Sequence, residues 1–138
     1  MAIKMRINIK FIDQKDHKFT TIGHWFETYE HGDVILNIQI SKMFWKYQMA
    51  VLFHELIEVA ICQSKNIHTV ECDIFDAMFE TEYEAGVWPK SVEAGFDKRC
   101  PYRVGHIWGS RFERVVIWLL GAKWRDYTDA TNKLMGVV

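Results

Sequence analysis

The sequence predicts an α+β fold in which a three-stranded antiparallel meander packs against three helices. Within residues 1–40, apolar and polar side chains alternate in short segments, as they do in strands with one wet face. The remainder shows helical spacing, and the run 42–64 contains neither Gly nor Pro. A chain of 138 residues can bury one sizeable core. A single domain over 1–138 is therefore expected, with a helical part at 41–127 and a tail at 128–138.

Three strands are expected in the first part of the chain. Residues 5–11 alternate, with Met, Ile, Ile and Phe on one side and Arg, Asn and Lys on the other. Residues 19–30 are rich in aromatic and β-branched residues, and residues 34–40 alternate again. Turn-like clusters at 13–16 and 31–33 separate these segments. Short turns between sequential strands predict antiparallel pairing.

Helix signals follow the third strand. Ser41 is expected to cap a central helix over about 42–64. A second, strongly acidic helix is expected over 69–85, and a third is expected to begin at 102 or 103 and end near 120. The stretch 87–101 contains both prolines of the chain and is expected to form a surface loop.

Charge and cysteine usage exclude several classes of protein. The formal net charge is -1 without a dense basic run, so nucleic-acid binding is not expected. The cysteines at 62, 72 and 100 are odd in number and form no C-x-x-C, which is typical of reduced thiols in a cytosolic protein. The N-terminus has no apolar signal core, and no apolar run approaches the ~18 residues of a membrane span. A cytoplasmic protein without membrane contact is therefore expected.

The helical segment 49–62 places charged residues where burial is expected. Eleven of its fourteen residues are apolar and they occupy every side of the helix, which is typical of a buried helix. His54, Glu55 and Glu58 interrupt it. An unpaired buried carboxylate costs several kcal/mol, so either basic side chains or a metal cation must compensate these groups.

The spacing H-E-x-x-E predicts a metal site with hydrolytic chemistry. His54 and Glu58 lie four residues apart and project from one helix face, as the two histidines of H-E-x-x-H do. In this interpretation both are ligands, and Glu55 is the general base that takes a proton from water. The alternative is a helix with charged residues on a partly exposed strip.

His106 is the best candidate for the third ligand that such a site needs. It is flanked by Gly105 and Gly109, and glycines within a helix indicate close approach to another element. The alternative is a capping or core histidine. Glu113 lies on the same face and is expected either to hold a ligand imidazole or to pair with an arginine such as Arg103.

Two acidic residues of the second helix are spare ligand candidates. Asp76 and Glu80 belong to an acidic stripe at helical spacing, and such stripes are usually solvated faces. If one carboxylate of this stripe turns inward, Asp76 or Glu80 is expected to be the one.

Several segments together resemble a family of phage and bacterial proteins with an H-E-L-I-E helix and a later P-Y-R-x-x-H segment. The likeness spans about 34–127 and rests on a strand ending in Ile-Ser, Val-Leu-Phe-His-Glu-Leu-Ile-Glu, Phe79-Glu80, Pro101-Tyr102-Arg103, His106 and Phe112-Glu113-Arg114. It implies that His54, Glu58 and His106 belong together. More distantly, a strand followed by an H-E-x-x helix is similar to minimal zincin metallopeptidases, whose edge strand holds an extended substrate. The departure is Glu58, because a carboxylate ligand weakens the Lewis acid.

Two functions from different classes follow. The leading expectation is a zincin-like, metal-dependent hydrolase acting on a peptide or protein substrate. Zinc is the default for imidazole with carboxylate, although iron and manganese accept the same donors. The alternative is a non-enzymatic phage or mobile-element protein, active in the host cytoplasm, whose His/Glu cluster is a buried polar network. The loop 87–101 and exposed aromatics would then contact a partner. The sequence assigns no oligomeric state.

Overall fold

The computed structural model describes residues 4–137 and arranges them as a mixed three-stranded sheet and four α-helices, which confirms the α+β class. The strands are β1 (Met5–Ile12), β2 (Gly23–Glu30) and β3 (Asp33–Ser41), and the helices are α1 (Trp45–Ser64), α2 (Thr69–Glu84), α3 (Arg103–Leu119) and α4 (Trp124–Leu134). The expected domain also includes residues 1–3 and 138, which lie outside the described residues. Residues 1–3 belong to the N-terminal stretch that was expected to lack a signal core.

The predicted all-antiparallel meander is wrong in one of its two pairings. The strand order is β1-β3-β2, with β2 antiparallel to β3 and β1 parallel to it. His31 and Gly32 both have positive φ in the tight turn between β2 and β3, as a two-residue hairpin requires. The longer connection over 13–22 carries the chain from one sheet edge to the other. Alternation in the sequence does not distinguish these directions, because parallel and antiparallel strands share the same side-chain period.

The central strand and the edge strand β1 are unequally covered. Alternate residues of the central strand β3, namely Leu36, Ile38 and Ile40, are buried in the core that includes α1. The apolar residues of β1 pair with β3 in register, yet each remains about half exposed: Met5, Ile7, Ile9 and Phe11. The expectation that this strand has only one wet face is therefore wrong.

Two helix predictions needed correction at their ends. The central helix begins at Trp45 rather than at 42, because Ser41 stays in β3 and Phe44 occupies the N-cap position. It runs without interruption to Ser64, as predicted. The sequence analysis predicted three helices, and the structure has a fourth, α4, which includes part of the expected tail. Its Tyr127 is fully buried.

Close contact between α1 and α3 brings the predicted site together. A Cβ atom on Gly105 would lie 2.9 Å from the backbone oxygen of Glu58, and one on Gly109 would lie 2.8 Å from that of His54. Both distances are shorter than real Cβ contacts, so the two helix backbones touch where the side chains are missing. The prediction that these glycines mark a close backbone approach is confirmed.

The glycine contact predicts a specific stability effect. Gly109→Ala should destabilise the fold by about 1–2 kcal/mol, because overpacking against α1 outweighs the ~1 kcal/mol gained in helix propensity. Urea unfolding measures this difference. Val70→Ala, at an exposed position of α2, is the control and should be neutral. An alanine at 109 that stabilises the protein would show that α3 does not depend on this contact.

Candidate metal centre

Three donor atoms from α1 and α3 converge in the interior. His54 Nε2 lies 3.0 Å from Glu58 Oε2 and 3.1 Å from His106 Nδ1, and His106 Nδ1 lies 3.1 Å from the same Glu58 oxygen. All three residues are at most 9% exposed. A buried His54–Glu58–His106 group can therefore hold a metal ion. Donors around one four-coordinate zinc ion lie roughly 3–3.5 Å apart, which these separations match.

Local packing fixes the ring of His106 over the face of α1. The imidazole lies between the two helix glycines in sequence, so the close helix contact carries it to His54 and Glu58. A Cβ on Gly95 would lie 2.2 Å from the His106 ring, and the Phe96 ring packs edge-on with centroids 4.6 Å apart. The loop before α3 therefore closes directly onto the imidazole, and the absence of a side chain at Gly95 makes this possible.

Further hydrogen bonds orient the converging groups. His54 Nδ1 donates to Glu113 Oε1 at 2.7 Å, and the other oxygen of Glu113 accepts from the Tyr127 hydroxyl at 2.7 Å. Glu58 Oε1 accepts from the indole N–H of Trp25 at 2.9 Å. Glu113 thus holds an imidazole of the group, which is the first of its two expected roles. In the alternative role it would pair with Arg103, which instead donates to a backbone carbonyl.

Trp25 and Tyr127 take part in the site although sequence reasoning did not select them. Both are nearly fully buried, and each contributes one polar hydrogen to a site carboxylate. The N–H of a buried Trp and the O–H of a buried Tyr usually have a hydrogen-bond partner. Buried aromatic residues were therefore the candidates for pairing with the buried carboxylates. The sequence alone does not show which aromatic residue faces which carboxylate.

With Glu58 ionised, protons do not satisfy all three contacts at once. His54 Nδ1 donates its hydrogen to Glu113, so the facing Nε2 is a lone pair in the neutral ring. If both imidazoles are protonated toward Glu58, the two N–H groups of His54 and His106 oppose one another at 3.1 Å. If one is neutral, a lone pair faces the carboxylate at the same short range. With the carboxylate ionised, one of the three contacts is therefore unfavourable, whereas a metal ion would accept all three converging lone pairs.

Burial and the neighbouring charged groups shift the pKa values of these residues in opposite directions. Burial alone would lower the pKa of His106, but its hydrogen bond to Glu58 and the Glu93 carboxylate 3.7 Å from its Nε2 raise it to about 9. Likewise, hydrogen bonds from His106 and His54 outweigh burial and lower the pKa of Glu58 to about 2. The carboxylate and the imidazoles therefore hold one another in their charged forms. No Lys or Arg among the described residues pairs with Glu58.

Glu55 lies beside the three converging residues, but among the described residues it has no hydrogen-bond partner. Its side chain is 6% exposed and borders the same cavity, and no residue in 4–137 donates a hydrogen bond to it. Burial, followed by the negative charge of Glu58, raises the pKa of Glu55 to about 8. A Cβ on Gly23 would lie 2.6 Å from Glu55 Oε1, so the first residue of β2 leaves room for this carboxylate.

The spare ligand candidates do not join the converging group. Asp76 Oδ1 accepts a hydrogen bond from the Tyr102 hydroxyl at 2.6 Å, and Glu80 accepts one from Thr20. Both carboxylates border the cavity, but neither belongs to the cluster of three donors. The acidic stripe therefore contributes to the cavity wall.

A cavity of about 280 Å³ gives access to the site. Its floor includes the His54–Glu58–His106 group and Glu55. Other lining residues come from the segment 19–25, from α2, from the loop before α3 and from α4. The volume is near the lower end of small-molecule sites, and a substrate group of a few heavy atoms fits above the three donors.

Comparison with protein-family models, curated proteins and solved structures found no match. The likenesses to the phage family and to the zincins therefore stay predictions based on the motifs. Among the helices of residues 4–137, none combines the length and the apolarity needed to cross a bilayer. The three cysteines are buried as free thiols, and burial raises the pKa of Cys62 to about 12, which disfavours a nucleophilic thiolate.

The half-buried Asp76 predicts a pH-dependent stability change. Burial raises its pKa from 3.8 to about 6, although the hydrogen bond from Tyr102 lowers it. Since the folded-state pKa is the higher one, this group loses its contribution to stability as the pH rises from about 4 to about 6. Asp76→Asn keeps an oxygen for Tyr102 and cannot ionise. We expect it to be about 1–2 kcal/mol more stable than wild type near neutral pH.

Urea unfolding across the pH range tests this expectation. The difference should disappear below about pH 4, where wild-type Asp76 is protonated in both states. Asp129→Asn, at an exposed position of α4, should change stability little at any pH. A gain for Asp76→Asn that is independent of pH would show that ionisation of Asp76 is not its cause.

Proposed function

We propose that the protein is a metal-dependent hydrolase in which His54, Glu58 and His106 bind zinc and Glu55 is the general base. The observation that carries this proposal is the three-way contact at 3.0–3.1 Å between buried donor atoms, all of which a single cation would engage. Three protein ligands leave a tetrahedral site one open position for the reacting groups, as catalytic zinc sites do. Iron and manganese accept the same donors, so metal analysis decides among them.

The neighbouring residues support different roles for the three ligands and for Glu55. Glu113 and Trp25 hold the ligand side chains, which supports metal binding through their orientation. A bound divalent cation supplies a Lewis acid that polarises a carbonyl and acidifies water. Glu55 has no competing hydrogen bond and a pKa of about 8 before metal binding, so a nearby positive charge would keep it ionised. It can then accept the proton that water loses on attack at the carbonyl.

The sheet edge supports a peptide as substrate. β2 is an edge strand of the described sheet, and Gly23 and Trp25 at its start border the cavity. The backbone N–H of Glu27 points away from β3 toward Thr69. Strand alternation places the N–H of Trp25 on the same edge. An extended peptide that pairs with this edge would pass its carbonyl groups close to the site, as in strand-addition complexes.

Metal content of protein purified without a histidine tag tests the ligand set. We expect about one zinc per chain, and Glu58→Gln should weaken zinc affinity by more than about 100-fold because it removes a charged ligand. Isothermal titration of metal-free protein measures the affinity. His31→Asn is the matched control, since His31 lies in an exposed turn with positive φ that Asn tolerates. Wild-type protein that binds no divalent ion would contradict the proposal.

Glu55→Gln tests the assigned base. The amide fills the same space but cannot take a proton, so the variant should retain zinc and lose hydrolysis by about 10²–10⁴-fold. A peptide library analysed by mass spectrometry with wild-type protein identifies a substrate, and the same cleavage is then followed in the variant. Cleavage at the wild-type rate by Glu55→Gln would remove Glu55 from this role.

A second candidate function is partner binding without catalysis. The observation that favours it is that Glu58 already accepts hydrogen bonds from Trp25 and from an imidazole without an ion. In this case the cluster is a structural polar network of a phage or mobile-element protein. Zinc-free protein that is fully folded and unaffected in stability by added zinc would favour this candidate over the hydrolase.

A further inference from the structure

The outward side of α3 is an uncovered apolar face. Its residues recur at helical spacing, and we call them the α3 stripe: Val104, Trp108, Phe112, Val115 and Leu119. Each is between 44% and 66% exposed, and Trp118 beside them is 75% exposed. The stripe lies on the side of the helix opposite Glu113, which faces the metal centre. The helix is thus apolar on its outer side, where a solvated helix is normally polar.

The exposed area of this face is large for a protein of this size. A fully exposed aromatic side chain presents about 150–250 Å², so the two tryptophans and the phenylalanine here expose roughly 350 Å² together. With three aliphatic residues about half exposed, the patch is of the order of 600 Å², at the upper limit for soluble monomers. One partner in a standard interface loses about 800 Å². The area is therefore close to what a stable dimer needs.

The charges around the face are few and positioned at its margin. Two arginines lie beside the stripe: Arg114, whose guanidinium lies 4.9 Å from the Trp124 ring centroid, and Arg111, whose guanidinium lies 4.5 Å from the Trp108 ring centroid. Its stem and planar head thus cover the aromatic surface instead of projecting a solvated charge. No acidic residue belongs to the stripe. A second apolar surface can therefore pack on it without desolvating a carboxylate.

We propose that a second copy of this chain covers the α3 stripe in a twofold-symmetric dimer. The steps along the stripe are four, four, three and four residues, nearly the same in both directions, so an antiparallel copy presents a matching row. With the axis between positions 111 and 112, Trp108 lies opposite Val115 of the partner subunit. Val104 likewise lies opposite Leu119 of the partner subunit. Trp108 thus meets a smaller side chain, which favours interdigitation.

The proposed interface is independent of the metal centre. The stripe and the glycine contact lie on different sides of α3, and none of the five stripe residues lines the cavity. Dimer formation would support α3 from outside while leaving the cavity accessible. The state of association can therefore be tested without knowing whether the protein binds zinc or cleaves peptides.

Sedimentation velocity over a range of micromolar concentrations tests the dimer. Wild-type protein should sediment as twice the 16.4 kDa chain, about 33 kDa. Val115→Glu should sediment as a monomer, because two carboxylates would be buried near the axis. This variant should still fold, since the introduced carboxylate would lie one turn after Arg111 on an exposed surface. Trp118→Gln, at the most exposed position, provides a second variant with little influence on the monomer.

The matched control lies on the other apolar surface. Ile7 of β1 and Val115 are both 48% exposed, so Ile7→Glu makes the same kind of change away from α3 and should leave the dimer intact. The proposal is overturned if wild-type protein is monomeric throughout the range, or if both α3 variants remain dimeric. Loss of the dimer in Ile7→Glu alone would place the interface on β1. Monomeric protein that binds anionic vesicles through the stripe would assign this face to lipid instead.

Discussion

The backbone contact between α1 and α3 is the constraint on which the candidate site depends. Without Cβ atoms on Gly105 and Gly109, α3 reaches the backbone of α1 at Glu58 and His54. His106 lies between the two glycines, and Glu113 lies one turn beyond the second. One face of α3 thus contains the glycines that contact α1, the imidazole of His106 and the carboxylate of Glu113, which orients His54. Any side chain that separated the helices by about 1–2 Å would move all three functions together.

The same close approach determines how the buried charges are compensated. Long basic side chains have no room between helices whose backbones touch, so the carboxylates of α1 and α3 are met by short or rigid groups. Trp25 on β2 and Tyr127 on α4 each bring a hydrogen to a carboxylate oxygen that faces away from the centre. The sheet edge and the last helix therefore contribute one fixed contact each. Each contact satisfies a carboxylate oxygen that would be costly to bury without a partner, so the sheet and α4 both help to stabilise the charged groups of the site.

The sequence was sufficient for what local patterns encode. The unbroken apolar run predicted α1, the spacing of His54 and Glu58 placed them on one face, and the glycines around His106 indicated close packing. The sequence was insufficient for features that depend on contacts between distant parts of the chain. Alternation cannot distinguish a parallel from an antiparallel neighbour, so the direction of β1 was wrong, and the start of α1 was too early because β3 extends into its expected cap. Trp25 and Tyr127 could not be selected, since many buried aromatics have the same local pattern as these two.

The structure also explains why a carboxylate occupies position 58 of a helix that otherwise resembles H-E-x-x-H. Glu58 presents one oxygen to the two imidazoles and the other to the indole N–H of Trp25. An imidazole ligating from this position would direct a second N–H toward that indole, and two donors would then face one another in the core. Glu58 satisfies both sides at once. Its negative charge would also partly neutralise a bound dication in an apolar interior, where a full double charge would be costly. A metal ion held there would thereby be a weaker Lewis acid in a more stable buried position, and Glu55 beside it would be the group able to accept a proton.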